Sequence, residues 1–350
     1  MCKKIIRRIT GLFCAVLLIA ACGCSTEEVP ENTGAVEEED GITIGMSFDS
    51  FVIERWQRDR DIFVQAAKEL GASEVNVQNA NGDVEEQIRQ IEYLIEKKVD
   101  VLVIVCIDSD TLSDTVKKAQ DAGIKVIAYD RLINDADIDL YISFDNEMVG
   151  SLMAQSLVDN GLSGGKVIMI GGSTSDNNVS LVEGAFEDVM RANHVEVVGR
   201  THCDGWRAEL ASDYIYENRS LVADCDAIMC GNDNLASQVV NALAVQRLAG
   251  KVMVTGQDAD LEACQRIVEG TQVMTVYKPV ETLARRAAEC AVALARGEEI
   301  EGADVGTVEN GEGEIPYVRL EPIMVTRENL DEVIIDSGFH TREEVYLNIK

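Results

Sequence analysis

The chain has 350 residues, 46% of them hydrophobic and only 5% aromatic, so its core should be aliphatic. A single core stops growing near about 250–300 residues, and two domains are therefore expected. A formal charge of −31 repels nucleic acid and anionic lipid heads, which argues against partners of either kind.

The N-terminus reads as a targeting segment. Lys3, Lys4, Arg7 and Arg8 form a basic start, and Leu12 to Ile19 an apolar run. That run falls well short of the ~20 residues that span a bilayer, so residues 1–21 read as a signal peptide. It ends Leu18-Ile19-Ala20-Ala21-Cys22, an aliphatic residue and two small ones before a cysteine, which resembles the lipobox of bacterial lipoproteins. Cys22 is the expected lipidation site and mature N-terminus. Cys24 is the weaker choice, with no aliphatic residue at the required spacing. Residues 22–40 then form an acidic tether; within it 25–40 carry Pro, Gly and almost no apolar side chains, the composition of a disordered segment. Fully stretched, it reaches at most ~55 Å.

From Gly41 short apolar runs alternate with helical patterns. Strands are predicted near 42–46, 74–78, 100–106, 124–129 and 140–143, separated by helices near 54–70, 83–97 and 110–122. Val84, Ile88, Ile91, Leu94 and Ile95 share one helical face. A second series begins near Asn146. Its strands are expected near 166–171, 195–199, 226–230, 251–255 and 272–276. Its helices are expected near 146–159, 178–192, 206–218, 234–247 and 260–269. The fold class is α/β: two doubly wound parallel-sheet lobes joined by a multi-strand hinge. A helix near 280–296 and a strand near 317–325 read as crossings back to the first lobe and again to the second. The first lobe is thus 41–145 plus about 277–316, and the second 146–276 plus about 317–350. Several hinge strands restrict motion to opening and closing.

Seven apolar runs stop at polar clusters: Glu54-Arg55-Trp56, Asp130-Arg131, Asp176-Asn177-Asn178, Asp204-Gly205-Trp206, Asn232-Asp233, Gln257-Asp258 and Lys278. Open parallel sheets bind ligands outside the carboxyl ends of their strands. Carboxylates, amides, two Arg, one Lys and both tryptophans at those ends suit a small, uncharged ligand covered in hydroxyls with an apolar face, a sugar.

Other chemistries lack their signatures. Ser163-Gly164-Gly165-Lys166 has no Walker spacing, and no G-x-G-x-x-G opens a helix. Gly171-Gly172-Ser173-Thr174 could cradle a phosphate, but Asp176 beside it would repel an anion. There is no G-x-S-x-G, and His194, His202 and His340 read as surface residues. Cys106, Cys203, Cys225, Cys230, Cys264 and Cys290 show no metal spacing; they fit a reducing habitat or one disulfide of unassigned pairing. No catalytic residue, metal or cofactor is expected.

Trp56 and Trp206 stand at matching places, one in each lobe, each read at a helix start beside charge. Two rigid apolar faces closing on a pyranose ring would cover its C–H faces. Asn232 and Asp233 also fit helix caps, and Asp258 partly so. Arg131 and Lys278 do not, because a helix start opposes a cation; their plain alternative is a salt bridge to Asp130 or Asp258.

Long stretches resemble the D-xylose-binding members of the type I (ribose- and galactose-binding-like) periplasmic binding proteins of bacterial ABC importers. They are Glu54 to Asp61, Ala128 to Asn146, Thr255 to Asp260 and Thr275 to Pro279. The resemblance runs from Ile42 to about His340. It implies that Arg55, Arg131, Asp176, Asn178, Asn232, Asp258 and Lys278 hydrogen-bond the sugar and that Trp56 and Trp206 sandwich it. Asp176 and Asn178 would face one side if their segment is extended. The implied protein is a monomeric, non-catalytic lipoprotein held outside the cell membrane. It passes a monosaccharide, D-xylose by resemblance alone, to an ABC permease and its ATPase. The anchor and acidic tether depart from a free periplasmic form and suit a cell with one membrane. A sensor serving a chemoreceptor or histidine kinase, or another pentose or hexose as ligand, fits the same residues. A sugar-modifying enzyme would need a base, and a transcriptional regulator a basic helix-turn-helix before Gly41.

Overall fold

The computed structural model describes residues 41–350 apart from Glu54, Ala303 and Lys350. The signal peptide, Cys22 and the tether lie outside the described residues.

The first series is β1 (Thr43–Phe48), α1 (Arg55–Glu69), β2 (Glu74–Asn79), α2 (Val84–Glu96), β3 (Val101–Ile104), α3 (Ser113–Asp121), β4 (Lys125–Tyr129) and β5 (Leu140–Phe144). β3 is Val-Leu-Val-Ile and wholly buried, as a parallel strand covered on both faces must be. α2 starts where Asp83 accepts from the Glu86 N–H and where Glu85 and Glu86 meet the positive end of the helix dipole; its Ile91 and Leu94 are buried.

The second series is α4 (Asn146–Asp159), β6 (Lys166–Gly171), α5 (Asn177–Ala192), β7 (Glu196–His202), α6 (Glu209–Glu217), α7 (Arg219–Ala223), β8 (Ala227–Cys230), α8 (Asp233–Val245), β9 (Met253–Gln257), α9 (Leu261–Glu269) and β10 (Met274–Tyr277). The chain ends with α10 (Val280–Ala295), β11 (Val305–Glu309), β12 (Glu314–Leu320), β13 (Ile323–Thr326) and α11 (Arg342–Val345).

One sheet runs β11-β12-β5-β4-β3-β1-β2 and the other β13-β10-β9-β8-β6-β7. Within each, the first two strands in sequence sit at one side and the next three extend the other way. All neighbours are parallel except β11–β12 and β10–β13. Strand order reverses between β1 and β3 and between β6 and β8, the switch points where such sheets open a crevice. The chain crosses between the sheets after β5, after β10 and after β12, and α10 packs along α1.

Three readings need correction. The strand expected near 317–325 is two strands, β12 in the first sheet and β13 in the second. Pro322 stands between them and has no N–H to continue a ladder. The helix expected from 206 begins at Glu209, because Gly205 (φ 61°) and Trp206 (φ 57°) are left-handed and cannot start it. The core is aliphatic along its strands, yet Trp56, Tyr129, Phe48, Phe63, Phe144 and Phe186 are among its largest fully buried side chains.

A carboxyl is buried beneath the second sheet's strand ends. Asp233 accepts from Thr275 Oγ1 at 2.6 Å and Gln272 Nε2 at 2.7 Å, and Arg266 Nη2 donates to its carbonyl at 3.3 Å. Burial pushes its pKa up to about 7, with Arg266 pulling the other way. A raised carboxyl favours the fold fully below its unfolded value of about 3.9 and loses that contribution as pH climbs through the folded value. Asp233→Asn should therefore gain stability relative to the native chain as pH rises from about 4 to 7. Thermal melts across that range check this; a stability difference that does not change with pH would contradict it.

Candidate functional site

The strand ends of both lobes meet around one cavity, lined by Arg55, Trp56, Arg131, Asp176, Asn178, Trp206, Asn232, Asp258 and Lys278. All nine residues singled out from the sequence thus converge. Asp130, Glu183 and Gln257 join them. Asp130 and Gln257 stood beside chosen residues in the sequence clusters. Glu183 carries no such signal, because it lies within α5 and enters only through the fold.

Arg55 opens α1. Its Nη2 lies 3.1 Å from Asp59 and 3.0 Å from Asp130, and its Nη1 3.8 Å from Asp258 on the opposite lobe. Tyr129 OH donates to Asp59 at 2.5 Å and holds that carboxylate behind the arginine. Burial opposes the charge on Arg55, but Asp130, Asp59 and Asp258 outweigh it and raise its pKa well above the ordinary value. Burial acts equally on Asp130, where Arg55, Lys278 and Arg131 prevail and hold the carboxyl below its usual range.

Arg131 is the second cation. It meets Asp49 at 2.8 Å, donates to the Cys106 carbonyl at 2.9 Å, and reaches Asp176 of the other lobe at 2.7 Å. Its partners are therefore Asp49 and Asp176, while Asp130 pairs with Arg55. Burial keeps Asp176 above the usual carboxylate range in spite of Arg131. Lys278 Nζ lies 3.6 Å from Asp258, the pairing foreseen for it.

Asp176 and Asn178 are not on an extended segment. Asp176 caps α5, its Oδ1 accepting from the Asn178 N–H at 3.0 Å, so Asn178 is already helical. The Asn178 side chain still faces the first lobe: Nδ2 donates to the Asp130 carbonyl at 3.0 Å, and Oδ1 accepts from Asn146 at 2.9 Å. Asn232 caps α8 through Leu235 N at 2.9 Å, as its position before a helix suggested, while also lining the cavity.

Trp56 sits in the first turn of α1, with the Arg55 guanidinium 4.5 Å from its ring centroid. Trp206 ends a single 3₁₀ turn, Asp204–Trp206. A β-carbon on Gly172 would overlap its indole, and one on Gly171 would overlap the Glu183 carboxylate. The Gly171-Gly172 turn is thus filled by Trp206 and Glu183, which removes the phosphate cradle from consideration. Both indole N–H groups and the Gln257 amide oxygen are buried without a hydrogen-bond partner among the described residues.

Three cavity residues adopt left-handed backbone: Asp130 (φ 64°), Trp206 (φ 57°) and Asp258 (φ 95°). Such conformations cost of order 1–3 kcal/mol each and persist where the surroundings impose them. Hydrogen bonds from Asp130 N to Ile142 O and from Asp258 N to Val276 O, both 2.8 Å, do so here.

His194 is exposed as expected, whereas the other two histidines are less so. His340 is buried, with Nε2 2.8 Å from the Ala259 carbonyl, and His202 lies 3.1 Å from Glu183. The six cysteines within the described residues are free and buried, and burial raises their thiol pKa values, so they are poor nucleophiles.

Residues 44–299 match the periplasmic binding protein domain family. The chain is 46% identical to a D-xylose-binding periplasmic protein of Haemophilus influenzae, over 87% of this chain and 92% of that one. It is 47% identical to the protein of the same description in Escherichia coli, with the same coverage. A multiple sugar-binding periplasmic receptor of Rhizobium radiobacter is 31% identical over the same shares. Among solved structures, an ABC transporter solute binding protein of Clostridium phytofermentans with bound β-D-glucose aligns with a TM-score of 0.78. It is 30% identical, over 87% of this chain and 99% of that one. The two doubly wound lobes, the cavity between their strand ends and these similarities place the chain in the periplasmic binding protein family.

Proposed function

We propose that this chain is an extracytoplasmic solute-binding protein that takes one monosaccharide, D-xylose, between its lobes and hands it to an ABC permease and its ATPase. The observation that carries the reading is the cavity itself. Two indoles from opposite lobes and an ion-pair chain surround it, with the carboxylates of Asp130 and Asp258 held by Arg55 and Lys278 and the Gln257 amide oxygen without a protein donor. A neutral polyol offers many O–H donors and C–H faces while adding no charge. An anion would meet the carboxylates of Asp130, Asp176 and Asp258.

D-xylose is favoured because the two relatives at 46% and 47% identity carry that name. The site residues act by holding ligand hydroxyls and stacking its ring; no proton transfer is assigned to any of them. Charge-assisted hydrogen bonds in such a cleft contribute about 1.5–3 kcal/mol each before closure costs. The receptor among the relatives supports a second reading, the same body presenting a sugar to a sensor.

A thermal-shift panel of monosaccharides tests the ligand class. A ligand at 100 times its dissociation constant adds about 2.7 kcal/mol, so D-xylose should raise the melting temperature most clearly. Trp206→Ala should weaken D-xylose at least tenfold by calorimetry with the fold intact. No shift with any sugar, or native affinity in Trp206→Ala, would count against this site.

The proposed anchor is a lipid on Cys22, with residues 1–21 removed and 22–40 as tether. Metabolic labelling with a lipid precursor should mark the native protein and leave Cys22→Ala unmarked. Label persisting in Cys22→Ala would move the anchor elsewhere.

A further inference from the structure

Gln257 is the last residue of β9 and stands beside Asp258, yet it is not among the nine residues singled out from the sequence. It lines the cavity and is only 5% exposed. Its Nε2 donates to the Gly231 carbonyl at 2.5 Å. A carbonyl accepts only from the nitrogen end of an amide, so this bond settles which way the side chain points. The oxygen end is then left over. Oε1 is buried and has no donor among the described residues.

None of the donors that line the cavity, the two indole N–H groups and the cations Arg55, Arg131 and Lys278, bonds to this oxygen. Arg55 pairs instead with Asp130 at 3.0 Å, and Lys278 with Asp258 at 3.6 Å. The Asn232 oxygen on the adjacent strand end is committed to capping α8 through Leu235 N. A buried amide oxygen without a donor carries its full desolvation penalty. A ligand hydroxyl relieves that penalty, and an ether, fluorine or methylene in the same place does not.

Resting on the sugar-binding reading, we propose that Gln257 contacts the ligand directly, its Oε1 accepting a hydrogen bond from one ring hydroxyl, and so determines specificity at that carbon. The two ends of the side chain divide the labour. Nε2 holds the Gly231 turn that leads into Asn232, and Oε1 reads the sugar. A site built to hydrogen-bond a hydroxyl discriminates strongly against the analogue lacking it, because the protein group is then stranded.

Calorimetric titration of the native chain and Gln257→Met with D-xylose and its 2-, 3- and 4-deoxy analogues separates the two roles. Gln257→Met should bind D-xylose at least tenfold more weakly. For one deoxy analogue the native chain should lose at least tenfold, while Gln257→Met should bind that analogue and D-xylose within about twofold of each other. Gln257→Glu keeps an oxygen at this place and should still discriminate against the same analogue, which covers the case of a poorly folded Met variant. An equal loss for all four sugars in Gln257→Met would show action through the Gly231 turn alone and overturn the proposal, as would native affinity in that variant. A native chain that binds none of the four would overturn the sugar reading and this inference with it. The failures are distinguishable, because only the last removes binding from the unaltered protein.

Discussion

The ion pair between Arg131 and Asp176 joins the two lobes across the cavity, 2.7 Å apart and almost wholly buried. Much of the site depends on charges of this kind. Arg55, Arg131 and Lys278 face Asp49, Asp59, Asp130, Asp176 and Asp258 where bulk solvent screens little. Removing one member of a buried pair strands the other at a cost of about 3–5 kcal/mol, so the members hold one another in place. Each lobe alone carries an incomplete set. Arg131–Asp176 and Arg55–Asp258 span the two lobes, and the Gln257 amide oxygen, left without a protein donor, is suited to a hydroxyl.

Backbone geometry serves the same end. Parallel strands deliver their carboxyl ends to one edge, and the matching strand order of the two sheets sets two such edges face to face. The left-handed turns at Asp130, Trp206 and Asp258 then bend side chains from strand ends toward the cavity. The glycine pair at 171–172 leaves room for Trp206 and Glu183, so the platform rests on backbone.

Most of this was legible in the sequence. Continuous apolar runs and period-3.6 patterns located the strands and helices of both series, because a buried parallel strand such as Val101–Ile104 has no polar residue to blur it. Polar clusters after those strands marked the cavity. Strand order was not legible, because β3 and β4 read alike wherever they sit. The split between β12 and β13 was hidden because apolar residues stand on both sides of Pro322, Val318 and Leu320 before it and Ile323 to Val325 after it. Partners across space were hidden too. Asp49 and Asp59 look like surface acids, and Glu183 like any helix residue, until folding sets them against Arg131, Arg55 and Gly171. His340 looked exposed because its buried neighbour, Ala259, is far away in sequence.

The charge network makes a claim that one experiment reaches directly: a double-mutant cycle on Arg131→Met and Asp176→Asn, read by calorimetric titration with D-xylose. If the pair acts as one unit across the lobes, each single change weakens binding strongly and the double variant loses far less than the two losses combined. Losses that simply add would contradict the account, because Arg131 and Asp176 would then act on the ligand independently rather than through each other.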